Sequence, residues 1–385
     1  MISKQNGILC KNWQKGANKI KNALDFNIPF SSSGTYGGLD FINCFASAVV
    51  FLETGGKTAG VAAPCKHHKV CIGCGVHCND SLPVRQARWF YLFQAVSGAS
   101  CVRRRYDGKP SEMQRLIGDC DNQSFGNDNT VNFLFGFAGY DYRKLTEGAE
   151  FKAAIVKSID AGKPILARVK NCFHVVTGYD DDALFSPNFV NGHDNAKIKG
   201  VTEYGEIETL FIFGEKTAPC YTLRDGLERI KFMFELNEKE MIWDEYSAQM
   251  QKKIIDPGDE EYGALLPDEQ KAFMKNLKAA AFVEWTTHGL GQAFAGRQHA
   301  EMQNPALYEI WDKIDKHTGK MNCIGHAVYY LNRKIDWPEL IHQWDRVGIG
   351  DVIRAGVIER YKTMDSELLE LIRQAITKLN NLDSE

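Results

Sequence analysis

The pattern of apolar and polar positions changes character once along the chain. Up to about Gly214, helix-like segments alternate with short β-branched and aromatic runs, and beyond about Ala218 the pattern is nearly all helical. Residues 151–161 (FKAAIVKSIDA) put Phe151, Ile155 and Ile159 on one helical face; Gly162 supplies a stop and Pro164 opens a strand over ILARVK. FHVVTGYDDDALFSPNF and ETLFIFG read as further strands, with Asp180, Asp181 and Asp182 forming a hairpin turn. In the second half, Phe273, Leu277, Ala280 and Ala281 follow an N-cap candidate at Asp268. Leu368, Ile372, Ala375, Ile376 and Leu379 form another apolar stripe after Asp365. Between these parts, IIDPGDEEYGALLPDE reads as a loop able to border a site. The expectation is an α+β protein, with a mixed part over residues 1–217 and a mainly helical part over 218–385.

Composition narrows the function classes. A chain of 385 residues with a formal net charge of -3 gives no global electrostatic reason to expect nucleic acid or a membrane surface as partner. No apolar run approaches the ~20 residues of a membrane span. The N-terminal MISKQNGILCKNWQKG lacks the apolar core of an export signal, which points to a cytoplasmic protein. There are eleven cysteines, an odd number, with four crowded into one short segment. In a reducing compartment these read as thiols, one of them reactive, and as a metal site rather than a disulfide framework.

The reactive thiol is sought where backbone geometry would activate it. In SSSGTYGGLDFINCFASAVVFLE, a loop rich in glycine and serine runs into Cys44, and an apolar helix with the small residues Ala46 and Ala48 follows. At the first turn of that helix the unpaired N–H groups would favour a thiolate and could receive an oxyanion. The alternative is one more buried thiol in a core helix. His174 is the candidate base, on the strand FHVV before the GYDDD turn. A hairpin there brings residues 186–188 back roughly opposite His174, so Asn188 could fix its tautomer; Ser186 and Asn191 compete for that orienting role.

A loop–Cys–helix followed by KPI and then HVVTGYDDD resembles the papain-like cysteine peptidases. More narrowly it is similar to the branch that includes bacterial leader-peptide peptidases, the butirosin-pathway acyltransferase and the amide synthase of closthioamide biosynthesis. The motifs cover roughly residues 35 to 190. The resemblance implies Cys44 as nucleophile, His174 as base and Asn188 as the orienting residue. It also implies acyl transfer from the phosphopantetheine thioester of an acyl carrier protein to a small amine or diamine, with a peptidase or amidase as the alternative. Two positions depart from the pattern. Gly38 stands where such peptidases often carry an oxyanion glutamine, and Cys172 stands where the histidine is usual. Residues 172 and 174 share a strand face, so the expected side-chain direction is kept while its reach changes.

The chemistry itself calls for no cofactor. PCKHHKVCIGCGVHCND sets Cys65, Cys71, Cys74 and Cys78 beside His67, His68 and His77, which suggests one structural zinc held by the four thiolates. A shape-only loop of thiols is the competing explanation, and a redox pair lacks the thioredoxin-like strand it would need. Arg103, Arg104 and Arg105 could meet a phosphopantetheine phosphate or form a solvated face. Cys323 and His326, at helical spacing, have no oxyanion loop beside them.

Overall fold

In the computed structural model the described residues are 22–28, 40–57, 82–98, 101, 128–169, 172–180, 183–187, 198–202, 204–245, 248, 304–318 and 357–383. They form an α+β arrangement whose strands are all antiparallel. One sheet has the order β2-β8-β3-β4, from Tyr140–Leu145, Ile207–Lys216, Ile165–Val169 and Cys172–Val176. The other has the order β1-β5-β6-β7, from Asn22–Ala23, Gly178–Tyr179, Leu184–Pro187 and Ile198–Thr202. The expected strands over ILARVK, FHVV and ETLFIFG all form.

β4 and β5 are one run of chain interrupted at Thr177. Gly178 pairs with Phe185, and the Thr177 N–H also donates to the Phe185 carbonyl at 2.9 Å. Two residues therefore oppose one, which makes a β-bulge. The bulge moves the alternation by one place: Val176 and Tyr179, three apart, lie in the same apolar cluster.

The two faces of the first sheet are covered differently. α1 (Asp40–Thr54) packs over β4 and β3 on one face, and α4 (Gly148–Asp160) packs on the other against β8 and β3. Phe151, Ile155 and Ile159 are the buried stripe of α4, as their spacing predicts. Its end is a Schellman arrangement: Lys163 N–H reaches the Ser158 carbonyl and Gly162 N–H reaches that of Ile159, with Gly162 at φ +78°.

α1 is buried on every side; all residues from Phe41 to Val50 are inaccessible or nearly so. A helix apolar all round belongs in the middle of a core. Phe41 meets Phe173 of β4 edge to face at 5.0 Å and Phe211 of β8 at 5.5 Å. Phe45 lies 5.0 Å from Phe93 of α2 (Leu82–Val96), 4.8 Å from Phe135 of α3 (Asp128–Ala138) and 5.7 Å from Phe213.

Beyond residue 218 the described elements are helical: α5 (Leu223–Lys239), α6 (residues 308–318) and α7 (Val357–Leu382). α5 begins with a full capping box between Thr222 and Asp225. The C-terminal stripe is in phase as expected. Asp365 lies in the interior of α7, buried, and accepts from the Trp243 indole N–H at 2.8 Å. The helix expected after Asp268 lies outside the described residues. Among the described residues no helix is long and apolar enough to cross a membrane.

Because Phe45 touches three other elements and is fully buried, Phe45→Ala should cost about 3–5 kcal/mol of stability. Urea denaturation measures it, and a loss under about 1 kcal/mol would show that α1 is not the centre of the core.

Candidate functional site

Cys44 is the fifth residue of α1, one full turn from its start, and is completely buried among the apolar side chains of the core. The expectation of a thiol at the first turn is therefore corrected. From the fifth helical residue onward the backbone N–H has a partner within the helix, so it is not among the four orphan donors. The polar groups beside it are tied up inside the helix layers. Asn43 Oδ1 accepts from Gln86 Nε2 of α2 at 2.6 Å, and Ser47 Oγ donates to the Asn43 carbonyl at 3.0 Å. Both amide side chains are buried. Nothing in the periodicity marks this pair, since each residue sits in a run that otherwise reads as core.

His174 is the middle residue of β4 and lies directly opposite Ala167 of β3. Ala167 belongs to the apolar cluster on the α4 face, with Phe151, Ile155 and Ile159. Its neighbours on the strand, Phe173 and Val175, belong to the cluster that contains α1. Alternation along a strand sends adjacent side chains to opposite faces. His174 thus faces the α4 side of the sheet and Cys44 lies on the other. α1 and β4 are in contact, as the motif reading requires, but the two side chains are on opposite sides of the strand layer.

Ser186, the first competitor for the orienting role, is buried on β6 and pairs with Lys199 of β7. Tyr179 shares the α4 face, and its hydroxyl donates to Asp160 Oδ1 at 2.8 Å. At the hairpin turn Asp180 Oδ1 accepts from the Ala183 N–H at 2.6 Å, so this carboxylate closes the turn. Asn188, Asn191, Asp181 and Asp182, the thiols Cys65, Cys71, Cys74 and Cys78 with their histidines, Arg103 to Arg105, Asp259 to Glu261, and the Cys323–His326 pair all lie outside the described residues, as do Gly38 and the side chain of Cys172.

No family model matches this chain, and no curated protein matches it either.

Burial holds the His174 imidazole below its ordinary value of 6.5, because the cation is deprived of water. It is therefore mainly neutral at pH 7, the form a general base needs. The sign for stability follows directly. Below about pH 6.5 the unfolded chain takes up a proton that the folded chain refuses, so stability falls as pH drops towards the folded value. The ring should titrate by NMR with a midpoint below 6.5. His174→Gln should lose less stability than wild type between about pH 7.5 and about pH 5.5; identical acid slopes would show that His174 titrates as an exposed histidine.

Proposed function

We propose that the chain is an acyl-transfer enzyme of papain-like architecture working through a thioester on Cys44, with His174 as the proton carrier. The observation that carries it is the packing of α1, the helix of the cysteine motif, across β4, the strand of the histidine motif. In the first step the Cys44 thiolate attacks the carbonyl of a carrier-protein thioester, and the carrier thiol leaves with a proton. In the second a small amine or diamine attacks the acyl-enzyme, an amide forms, and the Cys44 thiol is regenerated. An alkylamine near neutral pH is mostly ammonium, so a base must relieve it of a proton. A neutral His174 suits that task. Direct exchange of a proton with Cys44 would in addition require the two groups to come to one side of β4.

That last condition favours a second reading, a binding protein on the same frame with no acyl chemistry. Its support is the full burial of Cys44 together with the opposite-face placement of His174. Intact mass after incubation with an acyl thioester separates the two. The enzyme reading expects one acyl group on wild type, none on Cys44→Ala, and discharge to amide when a short diamine is added. No adduct, with Cys44 also resistant to alkylation in the folded protein, establishes the binding reading instead. Discharge to free acid at a rate indifferent to amine would identify a hydrolase.

Within the enzyme reading, His174→Ala should slow transfer by about 10²–10⁴-fold, and Asn188→Ala by less, as orienting residues commonly cost less than the base they hold. A His174→Ala variant as fast as wild type would mean that the opposite-face geometry persists in the working enzyme and that another group carries the proton.

A further inference from the structure

Residues 22–28 pass from one face of the first sheet to the other. At one end β1 pairs with β5, Asn22 with Tyr179 and Ala23 with Gly178, and the Asn22 amide donates to Asp160 Oδ1 at the end of α4, at 2.7 Å. Asp160 also accepts from the Tyr179 hydroxyl, so one carboxylate pins two strands on the α4 side. In the middle, the Leu24 N–H donates to the Thr177 carbonyl at 2.7 Å, at the bulge where β4 gives way to β5. The Leu24 side chain packs against both apolar clusters, that of α4 and that of α1. At the other end Phe26 stacks on Phe51 of α1 at 4.9 Å, and both Phe26 and Ile28 are buried. β4 is the outer strand of its sheet, so the segment wraps the edge at which the Cys44 face and the His174 face meet.

Two glycines let it lie this close. A Cβ on Gly178 would stand 2.9 Å from the Ala23 Cβ, and one on Gly56 would stand 2.9 Å from the Asp25 carbonyl oxygen. Phe51 follows Cys44 by seven residues, two turns of α1, so both lie on one flank of the helix. The segment therefore covers the flank to which Cys44 belongs, two turns along from the thiol. Its grip is uneven. Phe26 and Ile28 anchor it among apolar side chains, whereas on the α4 side it rests on two residues of strand pairing and on a hydrogen bond exposed to water. An element with few buried contacts and solvent-exposed bonds opens at a lower free energy than the core around it.

We propose that residues 22–28 are a strap that gates the thiol of Cys44. Fastened, the strap closes the edge of β4; released from its latch at Asp160, it opens the flank of α1 along which a reagent or substrate reaches the thiol. Admission of a substrate rests on the acyl-transfer reading, whereas the gating itself is read with a plain alkylating reagent. Iodoacetamide labelling of the folded full chain, resolved by mass spectrometry at each cysteine, tests it. Where closing is fast, the labelling rate of a buried thiol follows the fraction of time its cover is open. Asp160→Ala takes both hydrogen bonds from the latch and should speed labelling of Cys44 about tenfold. Gly178→Ala leaves the polar latch in place, crowds Ala23 off its seat, and should act in the same direction. Cys101 is the internal control: fully buried, with its carbonyl held by the Asn237 amide of α5 at 2.8 Å, it should label at the wild-type rate in both variants. Equal acceleration of Cys44 and Cys101 would mean a general loosening and overturn the strap, as would an unchanged Cys44 rate in either folded variant. Faster labelling of Cys44 alone, in variants that still take no acyl group from a thioester, would uphold the gate and remove the acyl-transfer reading.

Discussion

The burial of α1 on all sides is the constraint on which the rest of the structure depends. Over residues 41–50 the helix has no solvent face and must be enclosed by partners on every flank, and here they are the aromatic face of a sheet, α2 and α3. Phe211 and Phe213, two apart on β8, point to α1 because the strand alternates, and Phe173 on β4 joins them. The same burial obliges every polar group on the helix to find a partner, since an unmade hydrogen bond in a core costs about 1–3 kcal/mol. Ser47 answers by bonding back to the Asn43 carbonyl, and Asn43 answers through Gln86. Asn43 and Ser47 thus each have a partner within the helix layer.

That arrangement sharpens what a cysteine in this helix would have to do. A nucleophile works at a surface that substrate can reach, whereas Cys44 is fully buried, in the same apolar cluster as Phe41, Phe45 and Ala48. Reach from α1 to His174 is blocked by the strand layer itself rather than by distance along the fold. The motif reading is strongest in chain order and in the contact of α1 with β4, and weakest in side-chain direction.

How much was legible follows the range of each signal. The face of α4, its glycine stop and the strands on either side of the GYDDD turn rest on local pattern, and each forms where its residues predict. The alternation of β4 was legible too, since it shows that 173 and 174 point opposite ways. Which face meets α1 was not, because that choice depends on partners such as Phe41 far along the chain. Asp365 illustrates the same limit. An acidic residue ahead of an apolar stripe has the local signature of a cap, yet its partner is Trp243, 122 residues away, and the helix runs through it. The Asn43–Gln86 bond, linking residues 43 apart, has no local signature at all.

The change of pattern near residue 218 is a change of secondary structure but not of core. The apolar cluster around α1 continues without a break into α5, α6 and α7 through Leu227, Ile230, Trp311 and Leu368. Gly226 makes the joint close: a Cβ there would stand 2.6 Å from that of Val96, so only glycine lets α5 lie against α2 at this separation. Arg229, one turn on, ties α5 to the end of α2 and to α3 by donating to the Ser97 carbonyl and, at 2.8 Å, to the Thr130 hydroxyl, with its guanidinium over the Phe133 ring. Burial brings that guanidinium down to about 10, still far above neutral pH, so the tie keeps its charge under physiological conditions. The helical half therefore helps to set the position of α2, and α2 in turn forms one wall around α1 and Cys44. Substitutions at this joint should be felt in the layer around Cys44, because a close-packed interior transmits displacement instead of absorbing it.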